Sequence, residues 1–208
     1  MANIPRNGSP KDPVINDIIN REWNMFQQVE NIGGRASCQD QYDTFYANRY
    51  SQHNVLSEDT LESYRNDLAA ADAQGRNMIT EKYAYMMEFT DPDYYNANLK
   101  DHLPALDQSK GELIAQIVSL QIMGYREYAK KYPALAGAGR PVEEGGLDTS
   151  IRQYSIGEFR TYSEDTLRLL LRDVKNCPNF PMEVQKNLIS FYGYADLEEA
   201  EENQKRRG

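Results

Sequence analysis

From Val14 onward the apolar residues recur at helical spacing. Val14, Ile15, Ile18, Ile19, Trp23, Met25, Phe26 and Val29 lie mostly three and four apart. Asp12 before Pro13 predicts the start of that helix, and Gly33-Gly34 its end near Asn31. A second helix is expected from about Cys38 to Gln52, with Ser37 as its cap and Asp40 three residues on. Ser57, followed by Glu58 and Asp59, caps a third, whose stripe is Leu61, Tyr64, Leu68 and Ala71 and whose stop is Gly75. Asn77 to Phe89 reads as a fourth. After Leu103-Pro104, Ser109 introduces the longest helix, Glu112 to Tyr132. It is apolar almost all round and therefore expected to be the central buried one. Asp148 to Phe159, a Ser163-capped helix through Val174, and a helix from Pro181 to Gly193 follow. The closing DLEEAEENQKRRG is expected to be a charged helix that frays. No segment alternates like a strand, so the predicted fold is all-α. Residues 1–12 read as a disordered lead, 13–200 as one helical domain and 201–208 as a charged tail.

The chain also repeats itself. Glu22-Trp23 recurs as Glu127-Tyr128, Gly34-Arg35 as Gly139-Arg140 and Asp43-Thr44 as Asp148-Thr149, all at an offset of 105. Ser57 to Leu61 (SEDTL) recurs as Ser163 to Leu167, and Asp67 as Asp173, at an offset of 106. Ordered matches at half the chain length predict two duplicated multi-helix halves, about 14–90 and 112–193. Neither half buries its apolar face alone, so the two are expected to pack about a pseudo-two-fold axis. A feature kept in both copies reads as scaffold, and a feature in one copy as a functional candidate.

Composition narrows the function. With 208 residues, 40 % hydrophobic and 26 % charged, the chain is neither disordered nor a membrane protein. The first residues hold no apolar stretch of the kind a secretory signal needs. Two cysteines 139 positions apart make neither a disulfide framework nor a zinc motif, which points to the cytoplasm. A net charge of −9 argues against a nucleic-acid partner. The 15 tyrosines against 6 phenylalanines and 1 tryptophan predict a core that is wet in places or lines a polar cavity.

The candidate chemistry gathers around the first Gly-Arg loop. Cys38 follows Ser37 at an expected helix start, where free amides and the helix dipole favour a thiolate, and Arg35 would add to this. The second copy has Glu143 in its place, so Cys38 is the candidate nucleophile. The competing reading is a small buried hydrophobe. No catalytic histidine is placed by motif. His53 follows Cys38 by 15 residues on the same expected helix, about 22 Å away, which disfavours a dyad. Arg35, Gln39, Asp40, Tyr42, Tyr46, Arg49 and Gln52, with Arg140 from the other half, form the candidate set for a ligand carrying a carboxylate or phosphate. The helical His pairs of metal sites are absent. Glu22, Asp40, Asp43, Glu127 and Asp148 could meet at the pseudo-axis, but pairing with arginine is the commoner use of such acids. No metal and no cofactor is expected.

The stretch EWNMFQQVENIGGRASCQDQYDTFYANRYSQ, with GRNMITEKYAYMME after it, resembles a bacterial domain-of-unknown-function family, 4125. YPALAGAGRP, TYSEDTL and FYGYADLEEAE resemble its C-terminal part, so the likeness runs from about Val14 to Ala200. It brings no reaction and no catalytic residue. In some bacterial proteins such domains are joined to a nucleotidyltransferase-like domain, which implies an accessory role. Two functions fit. One is a small-molecule site for an anionic ligand between the halves, an enzyme if Cys38 or a tyrosine acts on that ligand. The other is a non-catalytic helical module whose acidic surface binds a partner protein. A closed polar cavity favours the first, an exposed aromatic face the second. The sequence carries no signal for oligomeric state.

Overall fold

Side-chain caps start most of the helices. Ser57 Oγ accepts the Thr60 N–H, Asn77 Oδ1 those of Ile79 and Thr80, and Ser163 Oγ that of Thr166. Gly75 and Gly193, both at positive φ, end two of them without the Cβ clash that other residues would meet. A computed structural model describes residues 9–31, 33–143 and 149–207. Among them stand eleven helices and no strand. These are α1 (Asp12–Gln27), α2 (Tyr42–His53), α3 (Glu58–Ala73), α4 (Met78–Thr90), the single-turn α5 (Pro92–Tyr94) and α6 (Gln108–Lys131). The rest are the short α7 (Pro133–Gly137), α8 (Ile151–Phe159), α9 (Glu164–Asn176), α10 (Phe180–Phe191) and α11 (Leu197–Lys205).

Several boundaries depart from the sequence reading. Ser37 does not cap α2. Residues 37–40 make a 3-10 turn behind Ala36, and α2 begins at Tyr42. The cause is Gln39, whose Nε2 donates to the carbonyls of Phe26 and Val29 while its Oε1 accepts from Ala36 N–H. That side chain takes up the Val29 carbonyl and shares that of Phe26, which the Val29 N–H also reaches, where α1 ends, at Gln27 rather than Asn31. Asp107, not Ser109, caps α6, because its carboxylate accepts the Lys110 N–H at 2.8 Å. Nor is α6 buried all round. Ile114, Ile117, Val118 and Ile122 face inward, whereas Met123 is 53 % exposed. Ser150 caps α8, and the expected start at Asp148 lies outside the described residues, as do residues 1–8 of the lead. The C-terminal helix is docked rather than frayed. Leu197, Ala200 and Glu201 are buried, and the Glu201 carboxylate accepts the N–H groups of Ala134 and Leu135 at the start of α7.

α1 packs on α2, α3 and α4, and α6 packs on α8, α9 and α10. Contacts of α3 with α9, α2 with α10 and α4 with α8 join these two groups. Asp173 on α9 accepts the Ser57 N–H at 2.8 Å, and Asp67 on α3 accepts the Ser163 N–H at 2.9 Å. Each helix thus serves the other's N-terminus, which accounts for Ser and Asp recurring together.

Gly157 decides how closely α8 sits on α4. A Cβ there would lie 2.7 Å from Met86 Cγ and 2.9 Å from the Lys82 carbonyl oxygen. Alanine is the better helix former by about 1 kcal/mol. The clash outweighs that gain, so Gly157→Ala is expected to destabilise by about 1–3 kcal/mol in urea melts. An unchanged or raised midpoint would show that the two helices separate without cost.

Candidate functional site

Helices α2, α3, α4, α6, α8, α9 and α10 enclose a cavity of about 570 Å³. Spacings of three and four put Arg49, Gln52 and His53 of α2 on one inward face, and an i,i+4 pair puts Tyr154 and Glu158 of α8 on the facing wall. Behind them stand Glu22 of α1, fully buried, and Lys82 of α4.

These groups form a chain of alternating charge. His53 Nε2 lies 3.2 Å from Glu22 Oε2, and Arg49 Nε donates to the same oxygen at 2.8 Å. Arg49 Nη2 donates to Glu22 Oε1, and Nη1 reaches Glu158 Oε1 at 3.0 Å and the side-chain oxygen Oε1 of Gln52. Lys82 Nζ donates to Glu158 Oε2 at 2.7 Å. Two phenols finish the chain: Tyr64 donates to Glu22 at 2.8 Å and Tyr162 to Glu158 at 2.9 Å.

Burial opposes ionisation of Glu22, but the Arg49 guanidinium and then His53 outweigh it and hold the carboxyl well below the usual carboxylate range. Burial likewise opposes ionisation of Glu158, yet Arg49 and Lys82 hold it down to about 2. Lys82 loses by burial and gains more from Glu158, so its ammonium is held above the ordinary lysine value. Burial, then the carboxylate each one meets, pushes the Tyr64 and Tyr162 phenols well above 10, so both stay hydrogen-bond donors.

An interior ion chain of this size is weak support for stability, since apolar residues of equal volume often serve as well. Strongly shifted ionisable groups collected in one cavity make it the candidate functional site. Other polar groups on its wall stand unused. Gln121, only 8 % exposed, carries no side-chain hydrogen bond among the described residues. The same holds for the Tyr125 phenol, which burial pushes up to about 12. His53 Nδ1 is buried with no partner among the described residues.

A family model described as protein of unknown function, DUF4125, matches residues 12–202. The chain belongs to the DUF4125 family. No curated protein and no solved structure matches it.

In this DUF4125 member the residues singled out from the sequence divide into two groups. Arg49, Gln52, Cys38 and Arg140 line the cavity. Arg35 turns away to Asp40 and Gln27, with Nε 3.0 Å from Asp40 Oδ1, and its Nη2 holds the Gln39 carbonyl. Gln39 itself is buried as the bracket at the end of α1. Tyr42 sits edge-on to Trp23 at 5.1 Å, and Tyr46 donates to Asn16 at 2.8 Å, so neither reaches the cavity wall. Cys38 is exposed and lies in the 3-10 turn. The acids expected at the pseudo-axis do not converge. Glu22 is buried, Asp40 and Asp43 are exposed, and Glu127 is on the surface with Lys130, while Asp148 lies outside the described residues. No cluster suited to a metal ion occurs among the described residues, and no helix there is long and apolar enough to cross a membrane.

The groups missed by sequence reasoning are Lys82, Glu158, Tyr154 and Tyr162. Their one signal was the inward face of α8, where Glu158 stands 105 positions after His53 and Tyr154 105 after Arg49.

Proposed function

We propose that this chain binds a small molecule in the cavity walled by α2, α6 and α8. His53 Nδ1 carries the reading. Buried polar groups are nearly always hydrogen-bonded, and this nitrogen, buried on a residue that lines the cavity, has no partner among the described residues. The volume of about 570 Å³ falls in the range of about 300–1,000 Å³ usual for such sites. Among the described residues the exposed large apolar side chains, Tyr94, Leu106, Met123 and Tyr192, are spread over four separate segments, which does not favour a docking face. Cys38, exposed on the cavity wall, is the nucleophile in an enzymatic version of this reading.

Further features fit the reading. The cavity draws residues from both 14–90 and 112–193, and the reciprocal Ser57–Asp173 and Ser163–Asp67 caps support a pseudo-two-fold relation between those halves. The two free cysteines suit the reducing cytoplasm.

The neutral fluorophore N-phenylnaphthylamine tests the site. Its uptake should saturate at one probe per chain. Ser155→Phe, which adds a ring on the α8 wall, should weaken uptake at least tenfold while the circular dichroism spectrum is unchanged. No uptake, or uptake indifferent to Ser155→Phe, overturns the reading.

A further inference from the structure

We infer that the occupant of this cavity is an anion with an apolar or aromatic body, its charged group held by Arg140. The inference rests on the cavity being a ligand site, as proposed above. The charged groups that line or back it among the described residues are the cations Arg49, Lys82 and Arg140 and the carboxylates Glu22 and Glu158, with the His53 ring beside Glu22. One cation is left without a carboxylate, in a chain whose net charge is −9.

The surplus belongs to Arg140. Arg49 is held by two carboxylates and Lys82 by one. Arg140 meets no carboxylate among the described residues. It donates from Nη1 to the Thr149 carbonyl at 2.6 Å, which leaves the rest of its fork open. Its guanidinium carbon lies 4.8 Å from the centre of the Tyr154 ring, and Lys82 Nζ lies 3.6 Å from the same centre. Two cations on one phenol make this stretch of wall the electropositive end of the cavity.

The remainder of the wall sets the body of the ligand. Phe45, Tyr83, Tyr125, Val142 and Ile151 offer apolar and aromatic surface, and the Gln121 amide and Tyr125 hydroxyl offer neutral hydrogen bonds. A cationic ligand would lie against Arg49 and Arg140. Carboxylates, sulfonates and phosphodiesters with a ring system fit.

Anilinonaphthalene sulfonate and N-phenylnaphthylamine share one aromatic skeleton and differ by the sulfonate, so their comparison isolates the charge. The sulfonate should bind roughly 10- to 100-fold more tightly, as expected for a bond between charged groups. Arg140→Gln should remove that advantage, Arg140→Lys should restore part of it, and the neutral probe should bind all three proteins alike. Equal binding of the two probes, or an advantage that survives Arg140→Gln, overturns the anion inference and leaves the cavity reading standing. If neither probe binds, both fail together.

Discussion

Arg49→Met destabilises the protein by about 3–5 kcal/mol in urea melts, the range seen when one partner of a buried ion pair is removed. The size follows from what remains. Arg49 is 6 % exposed and is the cation shared by Glu22 and Glu158. Without it Glu22 keeps only His53 and Tyr64, and Glu158 keeps Lys82 and Tyr162. Methionine nearly matches the volume, so little of the loss comes from a cavity. Glu22→Gln added to Arg49→Met should recover part of the loss, because the buried charge left without its partner is then gone. A loss below about 1 kcal/mol would mean that water or a rearranged Lys82 replaces the guanidinium.

Acid should unfold the protein through the same groups. Glu22 and Glu158 both titrate lower in the folded chain than in the unfolded one. Their stabilisation is therefore complete above the ordinary glutamate range near 4.5, and it is lost as pH falls toward the folded value of about 2 for Glu158. Glu158 alone contributes roughly 3 kcal/mol at neutral pH on this basis, and Glu22 acts in the same direction. Lys82 has the opposite sign: held above its ordinary value, it contributes at neutral pH and loses that contribution only in strong alkali. The urea midpoint should be level from about pH 6 to 9 and fall steeply below about 4.5. Glu158→Gln should lower the plateau and flatten the acid limb. A variant whose acid limb runs parallel to that of the parent would place the responsible carboxylates elsewhere.

Local signals carried the reading of the sequence where the physics is local. Ser57, Asn77 and Ser163 cap helices because a cap needs only amides two or three residues away, all encoded in one stretch. The apolar stripe of α3 and the inward set of Ile114, Ile117 and Ile122 on α6 follow from period alone. Arg49 and Gln52 line the cavity because they sit on the inward face of one polar helix.

Tertiary structure decided which acids are buried. Glu22 and Glu127 each precede an aromatic residue and stand 105 positions apart, yet one is fully buried against Arg49 and the other pairs with Lys130 in solvent. Nothing within a few residues of either separates them. The difference is the partner, and Arg49 is 27 positions from Glu22. Lys82 and Glu158 meet across 76 positions because Gly157 lets α8 approach α4. Gln39, read as a ligand residue, went instead to the carbonyls at the end of α1, a demand that exists only once α1 stops at Gln27. Helix type and caps were thus set along the chain, where neighbours interact through one turn of backbone. The cavity and its charges were set by long-range packing, since a buried charge is tolerated only where a distant partner of opposite sign arrives beside it.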